Sequence, residues 1–265
     1  MDTDRSLDVR PQTALATGAK MPDELAVAGA DILQREDITV PRLTLVQSTS
    51  KGLPAGFNKH IGEWYNNITG EFLSSVEGVL LGVMKQRVAF ERQFSADAVA
   101  LCASDEGLYA RKEFIGTTVT DSKTGYIYLI QGICGECPFA KFGSNGETPL
   151  CSLGYVYAML DMESGLPFLL RAQRTGIQAA RKLNTVVKMM GRVKSIIVTS
   201  QHVSSDNGEY EVPVFTTGQK LTTDVVNAAA QIVREMGNLA ERVSAVEPEL
   251  GANGTAKHDD EEMPF

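Results

Sequence analysis

The chain has 265 residues, 43% apolar and 22% charged, which is the balance of an ordinary globular protein with material for one good core and for tails. No apolar run approaches the roughly 18 residues that a membrane-spanning helix needs. The opening Met1-Asp-Thr-Asp-Arg5 lacks the apolar stretch of a secretion signal, so a cytoplasmic protein with no membrane partner is expected.

A net charge of -8 argues against a nucleic-acid partner until its distribution is read. Residues 1–36 hold 7 acids and 4 bases, residues 241–265 hold 7 acids and 2 bases, and the middle holds 19 of each. From Ser164 to Ser205 there is no Asp or Glu against seven bases: Arg171, Arg174, Arg181, Lys182, Lys188, Arg192 and Lys194. A basic segment is therefore set inside an acidic protein.

In chain order, residues 1–36 are polar and interrupted by Pro11, Gly18 and Pro22. They read as a flexible arm with a short helix over Asp23 to Gln34. From Ile38 the alternation Ile-Thr-Val-Pro-Arg-Leu-Thr-Leu-Val has the period of a half-buried strand, and here the folded domain, 37–243, begins. Glu63 to Gly70 predicts a hairpin. Glu77 to Phe94 predicts a long strand with Lys85, Arg87 and Arg92 set between apolar neighbours. Tyr126 to Ile133 predicts a strand leading into Cys134, and Leu153–Leu160 with Phe168–Arg174 predicts a strand pair joined by the turn residues Asp161 to Gly165.

Thr175 as cap and Gly191 as stop bracket a helix whose apolar stripe is Ile177, Ala180, Leu183, Val187 and Met190. Strands follow at Ser195–Val203 and Glu211–Phe215. A second helix, within 222–243, carries Val225, Val226, Ala229, Ile232, Val233, Met236 and Leu239. Residues 244–265 have the composition of a disordered acidic tail.

All four cysteines lie between 102 and 151, with the spacing Cys102, 31 residues, Cys134-Gly-Glu-Cys137, 13 residues, Cys151. A Cys-x-x-Cys turn can present two thiolates to one ion, with Gly135 easing the bend, and two distant cysteines complete a tetrahedral set. Zinc in a closed structural site is the first reading and an iron-sulfur cluster the alternative. Buried free thiols or two disulfides are the plain reading, disfavoured by the absence of a secretion signal and by the ligand-like spacing.

The fold expected is mainly β (α+β): a small antiparallel barrel like an OB-fold, with an inserted four-cysteine metal loop over 102–151, a basic helix between strands and a C-terminal helix. Other small barrels fit the same pattern.

The chain terminates in Asp259, Asp260, Glu261, Glu262, Met263, Pro264 and Phe265. This resembles the C-terminal tip of bacterial single-stranded DNA-binding proteins, a linker and an acidic cluster ending in Pro-Phe, with Met263 where a β-branched residue is more usual. The resemblance implies that these seven residues dock on replication and recombination proteins, with the ring in an apolar pocket and the terminal carboxylate on a base.

Cys134-Gly-Glu-Cys-Pro-Phe-Ala-Lys-Phe-Gly143, Pro149-Leu-Cys151 and Thr175-Gly-Ile-Gln-Ala-Ala-Arg-Lys-Leu-Asn184 together resemble a group of phage and prophage proteins associated with single-stranded DNA binding or recombination. That implies a metal-containing single-stranded DNA-binding protein. The protein expected is non-catalytic, belongs to a bacterial or phage-infected cell, and is compatible with a homo-oligomer.

Binding single strands without sequence preference needs cations for phosphates and flat side chains for stacking, the latter contributing about 1 to 3 kcal/mol per base. The phosphate candidates are Lys85, Arg87, Arg92, Arg111, Lys112, Lys141, Arg171, Arg174, Arg181, Lys182 and Lys188. Phe90, Phe94, Tyr126, Tyr128, Tyr155 and Tyr157 are aromatic candidates, each with core packing as the plainer role. Phe139 and Phe142, flanking Lys141, are preferred among the aromatics.

The rival readings are a zinc- or iron-sulfur-stapled nuclease or recombination enzyme and a phage structural adaptor. His60, His202 and His258 fit no zinc-deaminase motif, and no Walker A, His-Glu-x-x-His or Gly-x-Ser-x-Gly motif is present.

Overall fold

The computed structural model describes residues 39, 41–50, 52–90, 99–120, 125–141, 149–191, 193–205 and 208–236. The expected N-terminal arm and its helix, Arg92, Phe142 and the acidic tail with its tip lie outside these residues.

The strands are β1 (Arg42–Leu45), β2 (Trp64–Asn66), β3 (Phe72–Leu73), β4 (Val76–Phe90), β5 (Ala100–Ser104), β6 (Thr118–Thr120), β7 (Ile127–Leu129), β8 (Cys151–Asp161) and β9 (Pro167–Gln173). Helix α1 (Ile177–Met190), strands β10 (Lys194–Ser205) and β11 (Gly208–Lys220), and helix α2 (Thr223–Met236) follow. Among the described residues the protein is mainly β with two α-helices, as the periodicities predict.

One strongly curled sheet takes the order β11-β10-β4-β8-β9-β1-β2-β3, with β5 also on β4, while β6 and β7 form a separate hairpin. The centre is β4. Its start pairs with β10, its length from Gly78 to Ala89 with β8, and its end with β5. Between Leu80 and Gly82 the register with β8 shifts by one residue. A bulge exchanges the faces that follow it, so Val83, Lys85, Arg87 and Ala89 continue the face begun by Leu80.

Both faces are covered by helices. Leu80, Tyr157, Met159, Leu170 and Ala172 pack with Ala180 and Leu183 of α1. On the other side Val79, Leu81, Val156, Ala158 and Leu160 pack with Ala229 of α2. A third cluster, Ala89, Ala110, Val119, Ile130, Phe139 and Cys151, belongs to the cysteine region.

The sheet curls until its β1 end meets β11, and there a side chain replaces the ladder. Gln47 Nε2 donates to the Glu211 carbonyl at 2.9 Å, and the Glu211 N–H donates to Gln47 Oε1 at 2.8 Å. Ser200 Oγ donates to the Gly62 carbonyl beside it.

Two expectations need correction. Thr175 does not cap α1: the chain enters through a 3-10 turn, Arg174–Gly176, and Gly176 takes the cap position with no side-chain bond. A Cβ on Gly176 would stand 3.0 Å from Pro213 Cγ, so close packing on β11 decides this residue. The strand expected over Tyr126 to Ile133 is only Ile127–Leu129, and it pairs with β6 outside the main sheet. The chain then turns at Gly132 (φ 101°), so the Cys134 turn follows a side hairpin rather than a strand of the central sheet.

Candidate metal centre and basic row

Ala89 of β4 has Cys102 of β5 opposite it on one side and Cys151 of β8 on the other. Directly opposed residues of an antiparallel ladder project to one face, so the two cysteines distant in sequence flank a single small residue. Cys134 and Cys137 come from the turn after β7. That turn is held by the Cys134 N–H on the Leu108 carbonyl (2.9 Å), the Tyr109–Ile133 bridge, and the Ala140 N–H on the Cys137 carbonyl (3.1 Å).

All four are free thiols in one neighbourhood. Burial pushes the Cys102 thiol up to about 12, and the nearby Cys151, Cys134 and Cys137 add to the effect. Burial raises Cys151 to about 11, opposed by the Arg87 guanidinium. As the side chains stand, no three His, Cys, Asp or Glu among the described residues converge closely enough to hold an ion. Gly135 does not have the role expected of it: its φ lies outside the left-handed region and an added Cβ meets open space.

On the same face as Ala89, one pleat along, lies Arg87, and one further lies Lys85. Lys85 stands opposite Tyr155, which stands opposite Ala172. The half-buried Tyr155 ring stacks on Tyr157 with centroids 6.5 Å apart. Gly107 (φ 71°) lies over the Lys85 stem, where a Cβ would be 2.9 Å from Lys85 Cγ. Lys85 and Tyr155 thus form a row between the cluster under α1 and the cysteine region. Arg181, Lys182 and Lys188 are exposed on α1, Arg174 is exposed just before it, and Lys112 and Lys141 are exposed in the cysteine region.

Other expected contacts fall elsewhere. Arg171 is on the α2 side of the sheet with Val156, its Nη2 donating to buried Gln86 Oε1 at 3.2 Å, because Gln86, next to Lys85 in β4, points to the opposite face. Arg111 is committed to Asp105 through two hydrogen bonds of 2.8 and 2.7 Å, which raise its pKa, with Glu113 at 3.9 Å. Phe139 is only 7% exposed, packed edge-on against Tyr128 at 4.8 Å, and so is core rather than a stacking surface. The Arg87 guanidinium acts on Cys151, lowering its thiol against the effect of burial, and its Nε is buried.

Tyr109, not among the expected aromatic residues, is exposed along with Tyr126, Ile127 and Leu129 on the cysteine region. The alternation across Tyr126 to Leu129 was the available signal, but only the packing of Tyr128 on Phe139 shows which side faces out.

Set against known protein families, curated proteins and solved structures, the chain matches none of them. Among the described residues no helix is long and apolar enough to cross a membrane.

Proposed function

We propose that this chain is a non-catalytic single-stranded DNA-binding protein acting in replication or recombination. The observation that carries the reading is the Lys85–Tyr155 row on the sheet face that α1 covers, because it sets a cation and a half-buried aromatic ring on the same side as a helix whose exposed bases come from the acid-free segment 164–205.

The strand order supports an OB-like barrel. A three-strand meander, β4-β8-β9, is followed by α1 and then by the hairpin β10-β11, with β4 antiparallel to β10. The added strand β1 lies between β9 and the β11 end. Cys102, Cys134, Cys137 and Cys151 hold zinc, or in the alternative an iron-sulfur cluster, as a closed structural site. The Asp259 to Phe265 tip recruits protein partners.

The test is fluorescence anisotropy on oligo-dT across a salt series. Each phosphate contact contributes about -0.7 to the slope of log affinity against log salt, so Arg181→Ala with Lys182→Ala flattens the slope by about 1.4 if both touch phosphate. Absence of oligo-dT binding by the full chain at low salt overturns the reading. An unchanged slope removes α1 from the interface.

A further inference from the structure

We propose that Arg87 is the counter-cation of the four-cysteine metal site, its guanidinium donating to the Cys151 sulfur once that sulfur is a metal-bound thiolate. The inference rests on the metal reading above and adds to it the residue that makes such a site tolerable in an apolar surrounding.

Three observations converge on Arg87. Strand alternation places it on the face of Ala89, the residue flanked by Cys102 and Cys151, and its partner across the ladder is Leu153, two residues from Cys151. Its positive charge opposes the rise that burial imposes on the Cys151 thiol. Its Nε–H is buried and has no hydrogen-bond partner among the described residues. A strong donor left unmet inside a protein is costly, and a neutral thiol is a weak acceptor. A thiolate sulfur is a far better one.

Charge gives the same answer. Four thiolates around one divalent ion sum to a net dianion, and here it would sit against Ala89, Val119, Ile130 and Phe139. Such a charge needs a compensating cation close by. Lys85, the next base on this face, is one pleat farther away and lies under Gly107. Arg87 is therefore reserved for the metal site although sequence pattern groups it with the phosphate-binding bases.

The experiment uses the full chain purified anaerobically, with zinc affinity read by chelator competition and the site reported by the sulfur-to-cobalt absorption of the Co(II) form. Loss of an outer-shell partner typically weakens metal binding 10- to 100-fold. Arg87→Met should fall in that range and shift the cobalt band, and Arg87→Lys should recover part of the affinity by restoring the charge. Should Arg87→Met fail to fold, Arg87→Gln serves as the charge-free variant, with circular dichroism of the metal-free protein as the folding control. Zinc affinity and cobalt band equal to wild type in a folded charge-free variant overturn the role of Arg87 alone. A wild-type chain that takes neither zinc nor cobalt overturns the metal reading itself, and this inference with it.

Discussion

Tyr157 shows how one side chain links the sheet to the basic helix. Its ring is fully buried in the main core, and its hydroxyl meets the Ala180 carbonyl at 3.1 Å and Asn184 Oδ1 at 2.8 Å, both on α1. Burial, with Tyr155 adding to it, pushes the phenol above its ordinary value of 10.0. A folded pKa above the unfolded one means a stabilising contribution that is complete below pH about 10 and is lost as pH rises, because the unfolded chain releases that proton first. Tyr157→Phe should cost about 1 kcal/mol at neutral pH through the lost hydrogen bond. Urea midpoints at pH 8 and 11 should show the gap to wild type narrowing, and parallel losses would contradict the assignment. Gly135 makes the opposite case: with open space at its Cβ and an ordinary φ, Gly135→Ala should leave thermal stability and zinc uptake within error of wild type. A large loss in either would restore the turn-forming role that residue type suggests.

At the scale of elements, the curl of the sheet ends in a contact between the loop after β1 and β11. The side-chain amide of Gln47 makes two bonds to the backbone of one residue, Glu211, and so acts as a single rung between the loop after β1 and β11. Gln47→Ala removes both bonds and should destabilise the protein by about 2 kcal/mol, read as a lower urea midpoint with an unchanged slope. A change of under about 0.5 kcal/mol would mean that water replaces the amide without cost.

Nothing in the sequence marks Gln47 for this role, because the two partners are far apart along the chain. The same limit explains the two faces of β4. The alternation of Val79 to Phe90 announces a strand plainly, but a single extra residue near Leu81 exchanges the faces beyond it, and propensity carries no sign of a bulge. Arg171 and Lys85 therefore look equivalent in sequence and lie on opposite sides. α1 was legible from its apolar stripe and from Gly191, which ends it at φ 59° with its N–H on the Val187 carbonyl. Its start was not, since contact with Pro213 chose Gly176 over Thr175 at the cap position. The cysteine spacing announced a set of four. That Cys102 and Cys151 both oppose Ala89 follows only from the pairing of three strands.

Across the whole molecule, charge is segregated along the chain. The middle balances 19 acids with 19 bases, whereas residues 241–265 carry 7 acids and 2 bases, a net -5. Four consecutive carboxylates, Asp259 to Glu262, offer the cations of α1 much the same interaction as phosphates do, so in the proposed function they compete with DNA, and most strongly at low salt. Replacing the four by Asn and Gln should tighten oligo-dT binding at low salt, with the gain fading as salt is raised. Phe265 contributes no side-chain charge to that competition. In the proposed function its ring supplies a partner's pocket with most of the affinity of the tip, while the acids chiefly steer the encounter. Phe265→Ala should therefore abolish capture of a replication or recombination enzyme yet leave oligo-dT affinity within about twofold. Equal effects of Phe265→Ala and of the four-acid replacement on DNA affinity, or undiminished partner capture by Phe265→Ala, would reduce the tail to a solubilising appendage.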